Sequence, residues 1–337
     1  MFDGKTILIT GGTGSLGQAL TKKLLDLNAK TIRIFSRNES KQIEMESDFA
    51  DKRLRFFVGD VRDSERLFYA LEDVDVVFHA AALKDVPKIE YNPFESIKTN
   101  VIGSQNVIDN SLRQDVEKVV CVGTDKAVSP LNTYGATKLL MEKLFVSANN
   151  YINPEKHRTK FVAVRYGNVL GSSSSVIPKF IDLIKKNKPV TITDPKMTRF
   201  TITMDEALEF ILNATATSKG SEIFIPKLKS YEISILIEAL TELLGETKQE
   251  IIGIRPGEKL HETLINHDEI RYTWKINDMY MLTNPHYKLF SGSNFSENYD
   301  GISKAENMNS YSSDIAEKIT KEELKEKIKN LDLIDKI

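Results

Sequence analysis

Several things are scarce in this sequence, and each scarcity excludes something. A single cysteine, Cys121, excludes an internal disulfide framework and any zinc site built on cysteines, and it fits a reducing cell interior. The 5 histidines include no i, i+4 pair flanking a helical glutamate, so no metal is expected. No uninterrupted apolar run approaches the ~20 residues needed to cross a bilayer, and Met1 to Lys5 leads straight into a strand-like run instead of a secretion signal. A cytoplasmic protein without a membrane partner is the expectation. Charge of one sign is missing too: 46 Lys and Arg stand against 48 Asp and Glu, a net charge of −2, so no global field draws the chain to nucleic acid or anionic lipid. Any anion must be held locally.

What is present is an ordinary globular balance, with 41% hydrophobic and 28% charged residues in 337. A folded chain of this size buries roughly 75% of its unfolded surface, enough for a large core and a smaller lobe. Short apolar runs at Thr6 to Thr10, Thr31 to Ser36, Leu54 to Gly59, Val74 to Ala81, Lys118 to Gly123 and Phe161 to Tyr166 alternate with helical stretches such as Ser15 to Asn28, Phe94 to Arg113 and Tyr134 to Asn150. That alternation predicts an α/β fold, a Rossmann-type doubly wound parallel sheet with a smaller C-terminal substrate-binding lobe. The expected division is 1–170 for the dinucleotide-binding domain with the catalytic residues, 171–290 mainly for the substrate lobe, with some segments free to return to the first domain, and 291–337 for an arm and a last helix. Residues 291–313, rich in Ser, Asn and Asp, read as a long loop, and Thr320 to Glu323 reads as a capping box.

Gly11, Gly14 and Gly17 lie between the first strand and a leucine-striped helix, where the chain must turn sharply and let a pyrophosphate approach the helix N-terminus. The bland alternative, a merely structural turn, is disfavoured by that context. The cofactor site predicted around them comprises Gly11, Thr13, Gly14, Ser15, Leu16 and Gly17, then Ser36 and Arg37 after the second strand and Asp60 and Val61 after the third. Ala80, Ala81 and Ala82 follow the fourth strand with the small residues that close backbone contact requires. No acid ends the second strand and Arg37 stands there, which predicts NADP over NAD.

Tyr134 and Lys138 are four residues apart, hence on one face of a helix, and a nearby ammonium is the simplest way to lower a phenol's pKa from ~10. Ten residues upstream of Tyr134 lies Thr124-Asp125-Lys126. With the glycine turn, this set resembles the extended short-chain dehydrogenase/reductases over about the first 280 residues. Thr124-Asp125-Lys126-Ala127, Tyr134 to Lys138, Arg165 to Val169, Met197 to Phe200 and Gly253 to Glu262 together resemble one subgroup, the inverting UDP-N-acetylglucosamine 4,6-dehydratases that open pseudaminic acid biosynthesis.

The resemblance implies Thr124, Asp125, Lys126, Tyr134 and Lys138 as catalytic residues. It adds Asn100, Tyr166, Gly167, Asn168 and Val169 around the cofactor, and Lys84, Asn168, Ser173, Arg199, Arg255 and Glu258 around UDP-N-acetylglucosamine. It also implies a homo-oligomer. An elimination needs an acid/base pair beyond Tyr and Lys, which Asp125 and Lys126 supply. As a base Lys126 must lose its proton, so a lowered pKa is expected from the charges of Lys138 and the oxidised nicotinamide. The sequence departs from the subgroup at Gly171 to Ser175, where Ser173-Ser174 replaces the usual Arg-Gly. A 4-epimerase, a dehydratase of another amino-sugar route and a non-enzymatic NADP-binding regulator are the rival readings.

Overall fold

The computed structural model describes residues 1–153, 155–172, 175–286, 295–306 and 308–331. Ten strands form one sheet. In spatial order they are Ser303–Lys304, Thr273–Ile276, Met279–Thr283, Glu222–Pro226, Lys160–Val164, Lys118–Val122, Val76–His79, Thr6–Thr10, Thr31–Ser36 and Leu54–Val58. From Glu222–Pro226 to Leu54–Val58 all neighbours run parallel, and the remaining strands continue antiparallel. The central strands Thr6–Thr10 and Lys118–Val122 are buried at every position, because helices cover both faces and leave no side for water. The sheet is therefore Rossmann-type as expected, with a mixed edge built by residues from the second half of the chain.

The order reverses between Thr6–Thr10 and Val76–His79, which opens a crevice at their carboxyl ends. Facing it is the smaller lobe. Helices Val176–Lys185, Ile233–Leu244 and Lys321–Lys329 enclose Ile181, Ile184, Leu236, Leu240, Leu324 and Ile328 there. The last of these helices begins with a true capping box, Thr320 and Glu323 satisfying each other's backbone N–H groups.

Two expectations are refined. The stretch Phe94 to Arg113 is not one helix: a π-helical turn, Ile97–Ile102, interrupts it and turns Thr99 and Asn100 inward. The expected loop at 291–313 contains two short strands among its described residues, Ser303–Lys304 and Tyr311–Ser312, each pairing with an earlier strand. Strands of two residues carry no periodicity to read. Among the described residues no helix is long and apolar enough to cross a membrane.

Candidate active site

The first strand ends at Gly11, whose φ of +69° is the left-handed conformation. A Cβ there would lie 2.9 Å from the Ala81 backbone, so neither conformation nor space admits a larger residue. Gly17 is equally constrained, since its Cβ would meet the Gly12 carbonyl oxygen at 2.4 Å. Gly14 is the N-cap of the Ser15–Asp26 helix and brings no side chain to its first-turn N–H groups, leaving donors aimed at an anion.

Above this turn runs a cavity of about 530 Å³. It is lined by all the residues expected at the cofactor, from Gly11 through Arg37, Asp60 and Ala81 to Tyr134, Lys138 and Val169, with one exception. Asn100 is instead buried behind the wall, exchanging hydrogen bonds with the Leu83 backbone at 2.8 and 3.0 Å and donating to Thr137 Oγ1 at 3.0 Å. It positions the loop after Ala82. The cradle of close-packed glycines and open N–H groups fits a dinucleotide.

Thr124 caps a 3-10 turn, Asp125–Ala127, that follows the Lys118–Val122 strand, and its hydroxyl donates to Asp125 Oδ1 at 2.9 Å. Asn132 caps the helix carrying Tyr134 and Lys138 by accepting from the Gly135 N–H at 2.8 Å. Gly135 is needed for packing: a Cβ there would lie 2.3 Å from the Lys126 carbonyl oxygen, so helix and turn meet backbone to backbone. Lys138 donates to the Val122 carbonyl at 2.7 Å. Lys126 donates to Asp125 Oδ1 at 3.1 Å and to Asn168 Oδ1 at 2.9 Å.

The charges here differ from expectation in direction. Burial alone would lower the Lys126 pKa, but the carboxylates of Asp125 and Glu262 outweigh it and the net shift is upward. Tyr134 is also pushed up, by burial first, against the opposing pull of Lys126 and of a hydrogen bond with Thr124. Burial raises the Asp125 carboxyl, with Glu262 adding to it and Lys126 opposing. The expected cations near Lys126 are outweighed because Glu262, far along the chain, folds to within 3.5 Å of its ammonium.

A second cavity, of about 350 Å³, is lined by Lys126, and Asn168 and Val169 border both spaces. Arg199, Arg255 and Glu258 line it, while Lys84 lines the first cavity. Arg199 spends much of its guanidinium on the carbonyls of Thr198 at 2.7 Å and Lys259 at 3.1 Å. Ser173 lies outside the described residues. Glu262, Lys259 and Tyr231 line the second cavity without having been singled out. The one available signal for Glu262 was an acid beside the apolar pair Leu264-Ile265 at the end of a quoted motif.

Comparison with known proteins agrees with this architecture. The family model described as "Polysaccharide biosynthesis protein" matches residues 7–284. The chain is 49% identical over 319 residues to the inverting UDP-N-acetylglucosamine 4,6-dehydratase of Campylobacter jejuni, covering 93% of this chain and 94% of that one. It is 40% identical over 339 residues to the UDP-glucose 4-epimerase of Rickettsia bellii, covering 99% and 98%. The crystal structure of Pen from Bacillus thuringiensis superposes with a TM-score of 0.90 at 40% identity, covering 99% of both chains.

The NADP expectation is corrected. Solved structures of this fold hold NAD, among them the dTDP-glucose 4,6-dehydratase DesIV of Streptomyces venezuelae, with a TM-score of 0.67 and 21% identity over 76% of this chain and 86% of that one. The UDP-glucose 4-epimerase of Thermus thermophilus is another, with a TM-score of 0.64 and 23% identity over 75% and 88%. The physical reason is visible in this chain. Arg37 does not stand alone at the strand end: the Asp60 carboxylate lies 3.8 Å from it and also binds Arg62 at 2.6 Å. The Ser36 hydroxyl is taken up by Gln42 at 2.9 Å. Arg37 is thus partly committed to Asp60 instead of standing free for an added phosphate dianion. The motif order, the two adjoining cavities and the long matches together place this chain in the polysaccharide-biosynthesis group of the extended short-chain dehydrogenase/reductases, enzymes of epimerase or dehydratase type that modify nucleotide sugars.

Proposed function

We propose that this protein is a UDP-N-acetylglucosamine 4,6-dehydratase that inverts carbon 5, works with NAD, and makes UDP-2-acetamido-2,6-dideoxy-β-L-arabino-hex-4-ulose, the first step of pseudaminic acid biosynthesis. The observation that carries the reading is the Asp125–Lys126 pair, hydrogen-bonded at 3.1 Å, with Lys126 lining the second cavity and the adjoining Thr124 lining the first. Epimerisation at carbon 4 needs one acid/base at one oxygen, and Tyr134 suffices for it. Elimination of water across carbons 5 and 6 needs proton handling at both, which is work for a second pair.

NAD held along Gly11 to Gly17 and beside Tyr134 and Lys138 would supply the hydride acceptor for carbon 4 and, once reduced, the hydride donor for carbon 6. Tyr134 accepts the proton of the 4-hydroxyl while Thr124 holds that oxygen. Asp125, raised by burial towards the range where a carboxyl both takes and gives a proton, removes the carbon 5 proton and passes it to the departing 6-hydroxyl, which leaves as water. The Lys126 ammonium, swung off Asp125 on its flexible stem, then delivers a solvent-derived proton to carbon 5 from the other face. Arg255 and Glu258, in the lining of the second cavity, are suited to the diphosphate and ribose of UDP.

NMR of the product formed from UDP-N-acetylglucosamine in heavy water tests this reading. The expected product is the L-arabino 4-keto-6-deoxy sugar with one deuteron at carbon 5. A D-xylo product rejects inversion. UDP-N-acetylgalactosamine as the product establishes the second reading, a 4-epimerase, which the 99% coverage against the Rickettsia bellii epimerase favours.

A further inference from the structure

We propose that Glu262 is a positioning residue for Lys126: its carboxylate keeps the Lys126 ammonium charged and aimed into the substrate cavity while Asp125 changes its protonation. The proposal deepens the function proposed above and rests on it for the catalytic role of Lys126.

Glu262 is 3% exposed, and its backbone is clamped on both sides by Ser313, whose hydroxyl accepts its N–H at 2.9 Å and whose N–H donates to its carbonyl at 2.8 Å. The backbone that carries the side chain is thus fixed from a distant part of the chain. Its Oε1 lies 3.5 Å from Lys126 Nζ and 3.8 Å from Arg199 Nε. Its Oε2 is buried and has no hydrogen-bond partner among the described residues. An acid serving only to hold the fold would have both oxygens satisfied, as Glu142 has from Arg165 at 3.0 and 2.6 Å. Glu262 instead leaves one oxygen unsatisfied among the described residues and holds the other in a long 3.5 Å contact with an ammonium whose shorter bonds go to Asp125 and Asn168.

The reason lies in what faces Lys126. Asp125 is on its own turn, Glu262, Arg199 and Lys259 come from the substrate lobe, and Tyr134 comes from the neighbouring helix, with Asn168 a neutral acceptor. Two of these are carboxyls, and in the proposed sequence Asp125 is neutral whenever it carries the carbon 5 proton. At that moment the cations Arg199 and Lys259 would press Lys126 to give up its proton prematurely, unless a second anion held its charge. Glu262 is that anion. Burial alone would raise its pKa, but Lys126 and then Arg199 outweigh it, so Glu262 stays ionised.

Competitive acetylation of the full-length protein, with the Lys126 peptide quantified by mass spectrometry across pH 7 to 11, reads the Lys126 titration without any turnover. In Glu262→Gln the Lys126 midpoint should fall by about one unit, so that labelling at pH 8 rises about tenfold, the usual effect of removing one nearby opposite charge. Glu262→Asp should restore most of the shift. The kcat for UDP-N-acetylglucosamine should fall about 10-fold to 100-fold in Glu262→Gln, its pH profile moving with the labelling midpoint and KM changing less than about threefold. A folded Glu262→Gln protein with an unchanged Lys126 midpoint overturns the proposal. Should that variant not fold, the parent decides: a Lys126 midpoint at or below that of exposed Lys188 also overturns it. A shifted midpoint in a protein that makes no keto sugar rejects the proposed function and leaves the Glu262–Lys126 linkage standing.

Discussion

Two buried clusters of charge lie on either side of the strand Thr263–Ile265, and they are built from the same residue types to opposite ends. In the first, Arg165 is fully buried, bound by Glu142 at 2.6 Å and Glu269 at 2.9 Å, with a further hydrogen bond to the Leu264 carbonyl at 2.8 Å. Both oxygens of both acids are taken by the guanidinium. This cluster ties the Tyr134 helix, through Glu142, to the strand end at Arg165 and to the His267–Ile270 turn. In the second, Lys126 meets Asp125 at 3.1 Å and Glu262 at 3.5 Å, Arg199 stands 3.8 Å from Glu262, and one carboxylate oxygen has no partner among the described residues. It borders a cavity. A closed network of short, bidentate contacts has one arrangement and holds geometry. An open one, with a flexible ammonium in place of a guanidinium, keeps a proton available.

Breaking each cluster should separate these roles. The largest effect is expected from Lys126→Ala, which should lower kcat per folded molecule by about 10²-fold to 10⁴-fold while NAD binding stays near the parent's. Steady-state kinetics beside a fluorescence titration with NAD check it, and near-full turnover would show that the open cluster is not catalytic through Lys126. Arg165→Met should do the reverse. With two acids left buried and uncompensated, urea unfolding should show a loss of about 3–5 kcal/mol, while kcat per folded molecule stays within a few-fold.

Smaller effects of opposite sign should follow from acidity. Burial alone would raise Glu269, but Arg165 outweighs it and its folded pKa is depressed. Its stabilisation is therefore present above the unfolded value of about 4.3 and is lost as pH falls through the folded one. Glu269→Gln should cost about 1–3 kcal/mol at pH 7, and the deficit should shrink on acidification. Asp125 is raised, so its ionisation opposes folding above its folded pKa. Asp125→Asn should be the more stable protein at pH 8, by about 1 kcal/mol, with the gap closing as pH falls through the Asp125 value. Unfolding curves taken from pH 8 down to pH 3 test both signs, and a parallel response of the two variants would erase the distinction between the clusters.

Parts of this arrangement were legible in advance because they are local. Gly11, Gly14 and Gly17 sit within one turn, and their reading depends only on the strand before and the helix after. Thr124, Asp125, Lys126, Tyr134 and Lys138 lie within one strand-turn-helix unit, so reading them as neighbours required no tertiary knowledge. Arg37 shows the limit: taken with its own strand it pointed to NADP, and only the next loop, folded beside it, brings the Asp60 carboxylate that changes the balance. Asn100 was read as touching the cofactor, yet the π-helical turn directs it to the Leu83 backbone.

The sequence by itself determined the alternating strand and helix pattern, the glycine turn and the identity of the groups at the end of the fifth parallel run. All of these follow from periodicity and from backbone conformations confined to a few consecutive residues. Only the tertiary structure decided which way protons are held. Whether Lys126 is pushed up or down, whether Arg165 is a ligand contact or an ionic core, and whether Glu262 matters at all depend on charges a few ångströms apart in space and far apart in the chain. Such interactions vary with distance and burial, and neither is written in the order of residues.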